Sequence, residues 1–128
     1  DSSKNAGFSE HKTWEKMNPR YHDINVKQAL DDKNSVFYYY QKLIKLRHEL
    51  PVITDGTYEL VKDNDKDEQV YAYTRKNADT TLLVILNYTK ENLKRHFDVP
   101  SNAKLLISNY SEDQGDNIRP YEAKVYQF

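Results

Sequence analysis

The chain has 128 residues, a formal net charge of -1 and no cysteine. That length suits one ordinary domain with a self-sufficient core, and a balanced charge lacks the clustered Lys and Arg that neutralise phosphates, which argues against a nucleic-acid partner. The missing cysteines exclude disulfides, thiolate zinc sites and cysteine nucleophiles and suit a reducing compartment, and no apolar run approaches the roughly 18 residues of a membrane span.

The chain opens on Asp1-Ser2-Ser3-Lys4, without Met and without the apolar core of a signal peptide, as expected of a piece of a longer polypeptide. Residues 1–34 carry Gly7, Pro19 and irregularly spaced Phe8, Trp14, Met17, Ile24 and Val26, which predicts an ordered loop with one short helix after Asn25. Asn34 and Ser35 are good N-caps for a second, longer helix. Val36, Phe37, Tyr40, Leu43, Ile44 and Arg47 recur at helical spacing and place an apolar stripe on a helix over 35–50, which Pro51 ends. Arg47 and His48 fall in its last turn, where positive charge suits the helix dipole.

Beyond Pro51 the period changes to two. Strands are predicted at Thr57–Val61, Gln69–Arg75, Thr80–Asn87, Leu93–Val99, Lys104–Asn109 and Ala123–Phe128, with turn residues between them. This pattern predicts an antiparallel β-sandwich. Leu82-Leu83-Val84-Ile85-Leu86 is apolar throughout and is expected as a central strand buried on both faces, with Tyr71 and Tyr73 sharing a face of the neighbouring strand.

Five groups of residues are candidates for chemistry. Asp63-Asn64-Asp65-Lys66-Asp67-Glu68 opens like a calcium loop, but Glu68 and Thr74 stand where such a loop needs Gly and a bidentate Glu, so a solvated hairpin turn is expected. His11, His22, His48 and His96 show no i, i+3 or i, i+4 pairing, and no metal site is assigned. His22-Asp23 could act as an acid–base pair only inside a pocket, and none is predicted. Asn87-Tyr88-Thr89 and Asn109-Tyr110-Ser111 match the glycosylation acceptor pattern, but Asn87 closes a strand, where it is expected to hold a turn. The 11 tyrosines and Trp14 could stack on sugars; the plainer expectation is that Tyr58, Tyr71, Tyr73 and Tyr126 fill the sandwich core. With 3 glycines there is no phosphate loop or dinucleotide fingerprint, and no serine elbow occurs.

Five strings in order resemble one branch of the α-amylase superfamily, the oligo-1,6-glucosidases, dextran glucosidases and phosphotrehalases. They are Lys4-Asn5-Ala6-Gly7-Phe8-Ser9; Trp14 with Asn18-Pro19-Arg20-Tyr21 and Ile24-Asn25-Val26; and Asn34-Ser35 through Leu46-Arg47, similar to the family's final barrel helix. Gly56-Thr57-Tyr58 with Val70 to Arg75, and Leu105 to Tyr110 with Arg119 to Tyr126, resemble the first hairpin and closing strands of its C-terminal domain. Arg20 and Tyr121 depart from the Asn and Trp common at those places.

The resemblance implies that residues 1–50 are the tail of a catalytic (β/α)8 barrel, namely the loop after the eighth strand and the final helix, and that 51–128 form a C-terminal β-sandwich. It implies a parent that is a retaining α-glucosidase using an aspartate nucleophile and a glutamate acid/base. No residue here matches those motifs, so no catalytic residue, substrate-binding residue or cofactor is assigned. The expected partner is the parent's barrel, through which alone oligosaccharide is met. An orphan helix over 35–50 is expected to fold back on the sandwich or to mediate self-association. A carbohydrate-binding sandwich is the alternative, and the cytoplasm the expected location.

Overall fold

The structure, a computed structural model, describes residues 1–61 and 69–128. The chain divides into two compact units, Asp1–Leu46 and Arg47–Phe128.

In the first unit, short 3-10 turns at Lys4–Gly7 and Pro19–His22 precede helix α1, Val26–Asp31. The side chains of Asn18 and Asn25 accept hydrogen bonds from the amides of Arg20 and Gln28, both at 3.0 Å, and so satisfy donors that helix starts leave orphaned. The expected loop is therefore ordered by its own caps. Helix α2, Val36–Glu49, lies where the apolar spacing placed it. No residue from 1 to 46 is buried, and the stripe of Val36, Phe37, Tyr40, Leu43 and Ile44 is exposed.

In the second unit, a one-turn helix α3, Val52–Asp55, leads into β1, Thr57–Leu60, then β2, Val70–Lys76, and β3, Thr81–Asn87. They continue as β4, Leu93–Lys94; β5, Lys104–Ser108; β6, Asn117–Ile118; and β7, Ala123–Gln127. A five-stranded antiparallel sheet in the order β1-β2-β3-β7-β5 is covered on one face by a two-stranded sheet of β4 and β6. Val70, Ala72, Leu83, Ile85 and Tyr126 form the core against Phe97 and Ile118 of the smaller layer. This is the expected sandwich, with two local differences. The strand expected over Leu93–Val99 pairs only at Leu93–Lys94, and its partner is Asn117–Ile118, where no strand was predicted. One apolar residue, Ile118, after a run of turn formers was too weak a signal to announce a strand.

Strand β3 is central, and the parity of its side chains decides the rest. Leu83 and Ile85 are buried on the core face, whereas on the opposite face Leu82 is buried and Val84 and Leu86 are half-buried. Tyr71 and Tyr73 alternate with Val70 and Ala72, so they share that opposite face; Tyr58, paired across from Arg75, joins them. Of the tyrosines expected in the core, only Tyr126 is there. Period two forces the correction: once Val70 and Ala72 point inward, Tyr71 and Tyr73 cannot.

Candidate functional site

The sheet face away from the core carries the second unit's most distinctive surface. Tyr58 and Tyr73 lie 5.2 Å apart by ring centroids, Tyr71 and Tyr73 5.5 Å, and Tyr71 and Tyr88 6.5 Å. The Tyr58 and Tyr71 hydroxyls hydrogen-bond at 2.7 Å, and this bond, ahead of burial, pushes the Tyr58 phenol up to about 12. Burial raises Tyr73 in the same direction. Tyr88 is 68% exposed and Tyr71 37%. At the other end of this face, α3 closes over the sheet: Arg75 Nη2 donates to the carbonyls of Ile53 and Thr54 at 3.2 and 3.1 Å, and Val52 is fully buried. Gly56 makes the turn from α3 into β1 possible, because a Cβ there would meet the Val52 carbonyl at 2.5 Å.

The core face holds an ion cluster built around two buried charges, Lys124 and Glu122, that no sequence signal announced. Lys124, fully buried, donates from Nζ to Asp113 Oδ1 at 3.0 Å and to the Gly115 carbonyl at 2.9 Å. Glu122 accepts from the Arg119 amide at 2.7 Å and from its guanidinium at 3.2 and 2.9 Å. The Tyr126 hydroxyl donates to Asp113 Oδ2 at 2.5 Å. Burial alone would raise both carboxyls; the hydrogen bonds from Tyr126, Lys124 and Gly115 outweigh it at Asp113, and those from Arg119 at Glu122, so both sit below the ordinary carboxylate range. Burial and the bond to Asp113 push the Tyr126 phenol up. Every charge is matched, as a closed structural network requires. Lys124 follows the parity of Tyr126, and only a register assignment could have revealed it.

The remaining sequence candidates do not assemble. The run 63–68 lies outside the described residues. Among the described residues no three of His, Asp and Glu gather to hold a metal. His22 Nδ1 lies 3.2 Å from the Ser2 carbonyl, its ring is 3.9 Å from Tyr21, and both His22 and Asp23 are exposed, so no acid–base pocket surrounds them. Asn87 is buried and its amide donates to the carbonyls of Glu91 and Arg119, both at 2.8 Å, while its Oδ1 accepts from the Thr89 amide at 2.8 Å. It pins a turn, as expected of a strand-closing Asn. Asn109 likewise bonds Tyr121 and Ala123 through its side chain. Trp14 is 99% exposed.

Two family models match in tandem: the α-amylase catalytic domain over residues 1–56 and the α-amylase C-terminal all-β domain over residues 60–125. An oligo-1,6-glucosidase of Heyndrickxia coagulans is 48% identical over 98% of this chain and 22% of its own length. A trehalose-6-phosphate hydrolase of Bacillus subtilis is 35% identical over 99% of this chain and 24% of its own. Among solved structures, the trehalose-6-phosphate hydrolase of Bacillus licheniformis superposes with a TM-score of 0.81 at 36% identity, covering 98% of this chain and 24% of that one. The isomaltulose synthase of Klebsiella sp. LX3 gives a TM-score of 0.84 at 30% identity, covering 99% and 24%. The chain thus spans about a quarter of the length of the relatives it matches.

Proposed function

The chain belongs to the α-amylase family, and from that membership we propose that it is the C-terminal, non-catalytic portion of an oligo-1,6-glucosidase-like α-glucosidase, stabilising the catalytic barrel of the same polypeptide. The observation that carries this reading is the tandem match, catalytic domain to residue 56 and all-β domain from residue 60. Residues 1–50 then supply the barrel's last loop and helix, and 51–128 the C-terminal domain.

The parent is a retaining glycoside hydrolase of carbohydrate metabolism, whose paired carboxylates belong to other parts of the polypeptide. Two of the carboxylates, Asp113 and Glu122, are consumed in ion pairs and hydrogen bonds, which fits that division. The α2 stripe, apolar and exposed, is the surface through which the barrel's own helices would be met. A cytoplasmic location, expected of a cysteine-free chain, is part of the same reading.

Deleting residues 57–128 from the full polypeptide tests the stabilising role. The expected result is a lower temperature of inactivation, followed by hydrolysis of p-nitrophenyl α-glucoside; an unchanged inactivation temperature would remove that role. Hydrolysis above blank by the 128-residue chain would remove the non-catalytic one. A glucan-binding module is second, because the exposed rings Tyr71 and Tyr88 favour it while the mutual tilts of 39°, 47° and 48° in the cluster offer no flat platform for a pyranose.

A further inference from the structure

We propose that residues 3–10 form a binding site for an outer, uncharged glucosyl unit of an oligosaccharide substrate. This rests on reading the chain as part of an α-glucosidase, and adds which of its residues touch the sugar and what class of sugar they take. The contribution is to binding and specificity, and bond cleavage stays with the rest of the polypeptide.

The site lies wholly within the first unit and within the catalytic-domain match. A cavity of about 480 Å³ is lined there by Ser3, Lys4, Gly7, Phe8, Ser9 and Glu10. Small-ligand pockets span roughly 300–1,000 Å³, so one sugar ring fits. The segment belongs to the stretch that leads into α1 and α2, and α2 reads as the barrel's last helix. In (β/α)8 enzymes the loops that lead from a strand into its helix build the mouth of the active site.

The backbone beside the cavity is held in a costly shape. Asn5 and Ala6 both have φ 54° and Gly7 has φ 77°, three consecutive residues in the left-handed region that a Cβ disfavours. Side chains brace this run. The Asn5 side-chain amide donates to the carbonyls of Ser9 and His11, both at 2.7 Å, and Lys4 Nζ donates to the Glu10 carbonyl at 3.0 Å. No core packing repays the strain, because no residue of this unit is buried. Strain that the surroundings over-determine is a mark of ligand clamps.

The lining has the chemistry of a sugar site. Phe8 is 85% exposed, and an apolar ring face suits the C–H face of a pyranose. The Ser3 and Ser9 hydroxyls and the exposed Glu10 carboxylate offer partners for sugar hydroxyls. One Lys and one Glu balance in charge, and Lys4 is already engaged by the Glu10 carbonyl. A phosphorylated sugar calls for surplus positive charge, which this lining lacks, so the site fits a neutral glucosyl unit.

Kinetics of the full polypeptide test the site with two substrates of different reach. p-Nitrophenyl α-glucoside presents one glucosyl unit, and isomaltotriose extends well beyond it. Phe8→Ala is expected to lower kcat/KM for isomaltotriose about tenfold more than for the aryl glucoside, chiefly through KM, as loss of one apolar binding contact should. Phe8→Tyr, which keeps the ring, is expected to recover most of that difference. Equal losses for the two substrates, or a difference that Phe8→Tyr leaves in place, overturns the proposal. A loss seen only with a phosphorylated disaccharide overturns it in favour of an anionic ligand. A wild-type polypeptide inert toward both glucosides would reject the α-glucosidase reading and the site together, whereas an active one with equal losses rejects the site alone.

Discussion

Residues 1–46 and 47–128 use the same alphabet to opposite effect. The first region has Phe8, Trp14, Val36 and Ile44 among its apolar side chains, yet none of its residues is buried. The second closes Val70, Ala72, Ile85, Phe97 and Ile118 into one core. Hydrogen bonding does not separate them. Asn18, Asn25 and Ser35 supply local bonds in the first region as good as those Asn87 supplies in the second. Burial separates them: a 14-residue helix such as α2 draws its stability in water chiefly from packing an apolar face, and hydrophobic burial dominates folding. Local signals can thus write secondary structure into a segment that buries none of its side chains.

The largest effects should therefore fall on 47–128. Lys124→Met should lower the unfolding free energy of the chain by about 3–5 kcal/mol, because it leaves Asp113 and Glu122 short of a buried countercharge. Urea unfolding followed by tyrosine fluorescence reads it. Ile85→Ala, at a fully buried site, should cost about 2–5 kcal/mol, while Ile44→Ala on the exposed α2 stripe should stay within about 0.5 kcal/mol. Equal losses at Ile85 and Ile44 would erase the contrast between the regions. Gly56→Ala should cost about 1–3 kcal/mol, since the new methyl must displace the Val52 backbone.

Acid should act on the second region in a window set by its carboxylates. Asp113 and Glu122 are held below their ordinary values of 3.8 and 4.5, so the stability they contribute is complete above those values and is lost as pH falls through the lower folded ones. Tyr126 has the opposite sign: raised above 10.0, it contributes fully below pH 10.0 and fails as pH climbs through its folded value. A pH series of urea midpoints should show a plateau between these limits and an acid limb that Asp113→Asn flattens. A limb unchanged in Asp113→Asn would place the acid lability elsewhere.

Most of the fold was legible because it rests on period and punctuation. The α2 stripe, the stop before α3 at Pro51, the apolar run Leu82–Leu86 of β3 and the short helix after Asn25 are all set by neighbours in the chain. What escaped depends on partners far along it. The side of the sheet on which Tyr71 and Tyr73 lie is fixed by pairing with β3, and the burial of Lys124 by Asp113 and Gly115 across a loop. The strand at Asn117–Ile118 exists only because Leu93 and Lys94 pair with it. The tyrosine surface was foreshadowed by composition alone. The face it occupies was not, because alternation says which residues share a side and leaves open which side is core.

The smallest expected effect sharpens the same comparison through backbone strain. Ala6 and Tyr121 hold nearly the same left-handed backbone, φ 54° and 53°. Tyr121 comes after Pro120 in a turn closed by the Glu122 amide donating to the Arg119 carbonyl at 3.0 Å, a place where positive φ favours Gly. Tyr121→Gly should relieve about 1–2 kcal/mol of left-handed strain and return about 0.5–1 kcal/mol as entropy of the unfolded chain. Its side chain is mostly exposed, so little packing is lost, and the urea midpoint should rise slightly. Ala6→Gly relieves the same kind of strain in a region without buried residues, where it has no core to be transmitted through, so the midpoint should not move. A rise of equal size for Ala6→Gly would mean that residues 1–46 unfold in one cooperative step with the sandwich, and that the two regions are less independent than their burial makes them.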